Sequence, residues 1–220
     1  MEMRIGKEID HIREMVIRMA TLTEESVRDA LHSFIGNDSV LAQSVIGRDS
    51  EINEMEMQID KDVFECLALK APVARDLRFL FSMQKINKDL ERIGDHAVNI
   101  AQATLICSGH SQPVAGPDIK LMARLTQEML RDAISSFITS DTQQALTVLK
   151  RDDQVDDLNR AMNATFIAMV KKDVTIVESA LELLRVSRNL ERIADLSTNI
   201  AEDVIFHTNA QDVKHHHDAH

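Results

Sequence analysis

One segment is written twice in this chain: Leu90-Glu91-Arg92-Ile93-Gly94-Asp95 and Leu190-Glu191-Arg192-Ile193-Ala194-Asp195. A second segment behaves the same way, since Arg48-Asp49 followed by Ile52-Asn53 returns as Arg151-Asp152 followed by Val155-Asp156. Both pairs keep their order and their internal spacing, so the chain is a duplication of one supersecondary unit. Around them apolar residues recur at spacings of three and four, and strict alternation is nearly absent. The unit is therefore helical. Composition agrees, because the chain has no Trp, no Tyr and only 7 Phe, and Met with unbranched or γ-branched aliphatics fills the apolar positions.

The periodicity predicts six helices in two sets of three. The first covers residues 4–35, where Thr21-Leu22-Thr23-Glu24 reads as a capping box able to interrupt it. Asp38 caps the second, which runs to about residue 69, and Ala71-Pro72 turns into a third that ends near Cys107. Residues 108–117 hold two of the three prolines and two of the six glycines and read as a linker. The plan then restarts: Asp118 caps a fourth helix, Ser140-Asp141 leads into a fifth, and Lys172-Asp173-Val174-Thr175 leads into a sixth that ends near His207. The expected fold is all-α, two tandem up-down-up three-helix bundles over residues 1–107 and 118–207. A disordered, His-rich tail is expected over 208–220.

A formal net charge of −11 excludes a phosphate-neutralising nucleic-acid surface, and the missing aromatics remove the platform for stacking bases. Cations and basic partner surfaces suit such a chain better. Residues 97–117 carry no charged side chain, yet Asn99, Gln102, Ser108, His110 and Pro113 interrupt them, so no membrane span is expected. The charged start, Met1-Glu2-Met3-Arg4, does not read as a signal peptide. A cytosolic protein is expected, with Cys66 on an apolar stripe as a buried free thiol. There is no Gly-rich phosphate loop, no nucleophile elbow and no credible Ser/His/Asp grouping, so a non-enzymatic role is expected.

The duplicated segments carry the chemistry. Leu90 and Ile93, like Leu190 and Ile193, continue an apolar seam. One position further along runs a second row that starts apolar and turns acidic: Leu77, Phe81, Gln84, Lys88, Glu91, Asp95, matched by Val177, Leu181, Leu184, Arg188, Glu191, Asp195. Spacing of i, i+4 stacks Glu91 over Asp95 and Glu191 over Asp195. The second helix of each set offers a facing row, Asp49, Asn53, Glu56, Asp60 in one and Asp152, Asp156, Asn159, Asn163 in the other. Like charges brought that close repel unless a cation or basic groups sit among them. Two readings stay open here: a carboxylate-rich metal site, or acids neutralised by Arg92 and Arg192 on a metal-free helical scaffold. Hard oxygen donors suit iron, manganese, magnesium or calcium, and also zinc. His96 lies away from the seam, has Leu196 as its counterpart, and reads as a surface histidine.

Taken together, the repeated Leu-Glu-Arg-Ile-(Gly/Ala)-Asp, the preceding Arg-Asp-x-x-Ile-Asn, Gln58-Ile59-Asp60 and the turn Ala71-Pro72-Val73-Ala74-Arg75-Asp76-Leu77-Arg78 resemble the PhoU family. The resemblance covers almost the whole chain. It implies a cytosolic, usually homodimeric accessory protein of high-affinity phosphate transport, acting as a negative regulator of phosphate uptake and of the phosphate-starvation response. It further implies partners, the ATPase of a phosphate ABC transporter and a sensor histidine kinase at the membrane, and in some members iron or zinc clusters. The ligands so implied are Asp49, Glu91 and Asp95 in repeat one, and Asp152, Asp156, Glu191 and Asp195 in repeat two. Asn53 departs from the pattern, supplying a carbonyl oxygen where an acid is expected, so repeat two should hold metal more tightly. A metal-handling protein with a storage or redox role is the competing reading.

Overall fold

The structure, a computed structural model, describes residues 2–108 and 117–210. It is all-α: α1 (Glu2–Gly36), α2 (Ser39–Lys70), α3 (Ala74–Cys107), α4 (Pro117–Thr139), α5 (Thr142–Leu149), α6 (Asp152–Lys172) and α7 (Val177–Asn209), with a 3-10 turn at Val174–Ile176. Helices α1 to α3 form one up-down-up bundle, and α4 to α7 form the second. Most of the expected linker and tail, including the histidines from His215 to His220, lie outside the described residues.

Local chemistry accounts for some of the helix ends. Asp38 caps α2 by accepting from the Val40 and Leu41 amides, and Asp141 caps α5 in the same way through Gln143 and Gln144. Ala71, at φ 46°, closes α2 in the left-handed region. Thr21-Leu22-Thr23-Glu24 does not interrupt α1. The Thr21 hydroxyl donates back to the Ile17 carbonyl and Thr23 is fully buried, so both threonines serve a continuous helix.

The expected fifth helix is two helices, broken at Lys150-Arg151. Asp152 and Asp153 are adjacent acids, and a helix N-terminus is where such a pair is stabilised by the helix dipole. In repeat one a single acid, Asp49, occupies that place and α2 runs through unbroken.

Each bundle buries its seam completely: Leu90, Ile93, Leu190 and Ile193 are at 0% exposure. The bundles then pack on each other through α3 and α7, with α1 also meeting α4. The α3–α7 pairing is antiparallel, since Lys85 reaches Asp203 (3.1 Å), His96 reaches Asn189 (2.9 Å), and Arg185 reaches Asn99 and Gln102. The two copies of the repeated segment therefore cross at the middle of the molecule. His96 is half-buried in that crossing, not a surface group: its Nδ1 pairs with the Asn189 Oδ1. Cys66 and Cys107 are buried free thiols, and burial pushes the Cys107 thiol up to about 11.

Candidate metal centre

The repeated Arg-Asp pairs on α2 and at the start of α6 divide their work. Arg48 turns back to α1, donating to Asp29 at 3.1 Å, and Arg151 makes the matching bond to Asp132 on α4. The neighbouring acids, Asp49 and Asp152, are half-buried one step around the helix from their arginines. Polar side chains pin α3 and α7 alongside: Asn87 donates to the Glu56 carbonyl (3.0 Å) and Asp60 (3.1 Å), while Ser187 donates to Asn159 (2.7 Å). These contacts fix the register that sets Glu91 and Asp95, and Glu191 and Asp195, beside the acid rows of α2 and α6.

In repeat two, Asp156, Glu191 and Asp195 each bring a carboxylate oxygen to within 4.8 Å of the others, and all three are half-buried. Asp152, one turn before Asp156, stands outside that trio. Burial raises the pKa of Glu191, and Asp195 raises it further. Burial likewise raises Asp195, with Arg192 opposing and Asp156 reinforcing the shift. Arg192 pairs with both acids, 3.0 Å from Asp195 and 3.5 Å from Glu191, but it is itself largely exposed.

Repeat one is built differently. Asn53 donates its amide to Asp49 at 2.9 Å, and Lys88 bridges Glu91 (3.0 Å) and Glu56 (3.6 Å). Asp95 is raised by burial first, then by Glu91 and Asp49. The second Asp49 oxygen, Oδ1, is shielded from solvent without a hydrogen-bond partner and lies 3.7 Å from where a Cβ on Gly94 would sit. Among the described residues the repeat-two trio alone forms a three-carboxylate group of this compactness. His96, held against Asn189, lowers both Asp95 and Asp195. Its role had no signal in the sequence, because the contact that places it is made between repeats.

The three carboxylates of repeat two fit a multivalent cation, whereas in repeat one Lys88 and the Asn53 amide already engage the acids. Without a cation the repeat-two acids are strained. A carboxyl whose folded pKa is raised costs stability at neutral pH and recovers it as pH falls through the folded value. Asp195→Asn is therefore expected to raise the melting temperature of chelator-treated protein at pH 7. The gain is at most about 0.5 kcal/mol, or roughly 1–2 °C, and should vanish by about pH 3, where the carboxyl is protonated in both folded and unfolded states. A lower melting temperature for the variant at pH 7 would contradict the strain.

Comparison with known proteins agrees with the geometry. The PhoU domain family model matches residues 16–104 and 119–204, one match per bundle. A phosphate-specific transport system accessory protein PhoU homolog of Caulobacter vibrioides is 33% identical, over 94% of this chain and 91% of its own. The homolog from Aquifex aeolicus is 35% identical over 98% and 97%. The crystal structure of PhoU from Pseudomonas aeruginosa superposes with a TM-score of 0.91 at 32% identity, covering 94% of this chain and 99% of that one. The phosphate transport system regulatory protein PhoU from Streptococcus pneumoniae superposes at 0.87 with 27% identity, covering 96% and 99%. These relatives carry accessory and regulatory names, not enzymatic ones. With both bundles matched and nearly the full length covered, the chain belongs to the PhoU family.

Proposed function

We propose that this protein is a cytoplasmic, non-enzymatic regulator of phosphate homeostasis that restrains high-affinity phosphate uptake and the phosphate-starvation response. It acts by docking, as a homodimer, between the ATPase of a phosphate ABC transporter and a phosphate-sensing histidine kinase. The observation that carries the reading is the near full-length match to phosphate-specific transport accessory proteins. No described helix is long and apolar enough to cross a membrane, which is consistent with a membrane role exercised through partners. Residues 1–107 and 118–207 serve as the two bundles, joined by 108–117.

The acid groups are proposed as metal centres for iron or zinc, with Asp152, Asp156, Glu191 and Asp195 in repeat two and Asp49, Asn53, Glu91 and Asp95 in repeat one. A bound cation would neutralise the acidic face and fix the α6–α7 and α2–α3 pairs. The chain's own residues set the order of affinity: Lys88 and the Asn53 amide occupy repeat-one acids, while repeat two offers a trio of carboxylates. That trio also favours the second reading, a metal-handling protein.

Deleting the coding region is expected to leave a phosphate-starvation reporter switched on in phosphate-rich medium, and tagged protein should co-purify with the transporter ATPase and the kinase. A reporter that stays silent, with neither partner captured, refutes the regulatory reading. Turnover of iron with peroxide, or filling far beyond a few ions per chain, would favour the metal-handling one.

A further inference from the structure

At the far end of α3 from the acids, a cavity of about 290 Å³ opens where both repeats meet. Arg13 reaches it from α1, Arg75 and Arg78 from the first turns of α3, Ser140 from the α4–α5 turn, and His207 from the end of α7. Arg75 and Arg78 stand about 25 Å along the helix from Glu91 and Asp95, at 1.5 Å per residue. The cavity is thus separate from the candidate metal centre.

Its charge is out of character. Elsewhere in this acidic chain arginines meet carboxylates, as Arg48 meets Asp29, Arg151 meets Asp132 and Arg192 meets Asp195. Among the described residues Arg13, Arg75 and Arg78 form no ion pair. Arg13 lies over the Phe79 ring at 4.7 Å, a contact that orients a guanidinium without neutralising it. The Nε atoms of Arg13 and Arg78 are both shielded from solvent without a hydrogen-bond partner. One acid, Asp76, lines the cavity against the three arginines, and the N-terminal turn of α3 adds the positive end of its dipole.

His207 belongs to the same wall. Its ring packs edge-on against Phe79 (5.8 Å) and Phe137 (6.5 Å), and its Nδ1 donates to the Asp203 carbonyl at 3.1 Å. Burial holds this imidazole below its ordinary pKa, and Arg13 and Arg75 push the same way. The histidine is therefore neutral at pH 7, and the positive charge is the arginines' own. Repeat two has no equivalent, since Thr175 and Glu178 stand where repeat one has Arg75 and Arg78.

We infer that this inter-repeat cavity binds a small, multiply charged oxyanion, inorganic phosphate or a phosphoryl group, through Arg13, Arg75 and Arg78. Guanidinium forks match the paired oxygens of such an anion, and the volume accommodates one with its hydration partly retained. Because the walls come from α1, α3, the α4–α5 turn and α7, a bound anion would lie where the two repeats meet. The inference needs neither the metal centres nor the proposed partners.

Equilibrium dialysis of the full chain with radiolabelled inorganic phosphate tests it, in chelator and at constant ionic strength. One saturable site per chain is expected. Arg75→Gln and Arg78→Gln should each weaken it at least tenfold with unchanged circular dichroism. Arg75 is exposed, so its variant keeps the fold. Arg160→Gln, at an exposed pair with Asp157 on α6, should bind as the parent does. O-phosphoserine run as competitor names the source: displacement at lower concentration than inorganic phosphate assigns the cavity to a phosphoryl group on a larger molecule, and the reverse assigns free phosphate. No saturable binding, equal binding by all variants, or full displacement by chloride overturns the inference. So does binding that appears only with added iron or zinc and survives both substitutions, since the anion would then sit on metal.

Discussion

Leu190→Ala lowers the unfolding free energy by about 2–5 kcal/mol, and Leu90→Ala does the same. Both side chains are wholly buried, and both stand in the repeated segments that cross where α3 packs on α7. Truncation removes transfer free energy and leaves a cavity that long, mutually braced helices cannot readily close. Leu77→Ala is the matched control, because Leu77 is 44% exposed on the same helix and its loss should cost about 0.5 kcal/mol or less. Urea denaturation of chelator-treated protein reads all three. A single transition for Leu190→Ala, shifted for the whole molecule, is expected because the damage lies at the centre shared by both bundles. A loss under about 1 kcal/mol would contradict that placement.

The second large effect concerns metal. At a hundredfold excess over its dissociation constant, iron or zinc should stabilise the protein by about 2.7 kcal/mol, a rise of roughly 5–10 °C for a chain of this size. Asp195→Ala should abolish most of that rise and the bound metal found by elemental analysis. Asp95→Ala should leave most of both in place. The asymmetry follows from the neighbours: Asp195 belongs to the three-carboxylate group, whereas Asp95 shares its site with the Lys88 bridge and the Asn53–Asp49 hydrogen bond. Greater metal loss from Asp95→Ala reverses the ranking and sinks it. No stabilisation of the parent by either metal would leave the acids as a solvated face.

Much of this architecture was legible because helix periodicity reports burial directly. Spacing places Leu90, Ile93, Leu190 and Ile193 in seams, and all four are buried. The acid rows were legible for the same reason, one step around the helix. What escaped depends on energies that periodicity does not carry. The break before Asp152 leaves the apolar rhythm intact, and only the adjacent acids mark it. The threonines of the apparent capping box have the right letters, but Thr23 is needed inside. His96 and the arginine cavity escaped because their neighbours lie far away in sequence, brought together only when the second bundle docks on the first.

That docking has a genetic consequence. Had the unit remained a separate short chain assembling with an identical copy, any change at one end of the pair would have appeared at the other. Joined in one polypeptide, the two ends can diverge under a single round of mutation each. The chain shows the result. Glu56 leads to Leu90 through a turn carrying Arg75 and Arg78, while Asn159 leads to Leu190 by a shorter route without them. His96, likewise, has Leu196 as its counterpart in repeat two. Fusion let one ancestral surface become two different ones, at the crossing of α3 and α7 as well as at its ends.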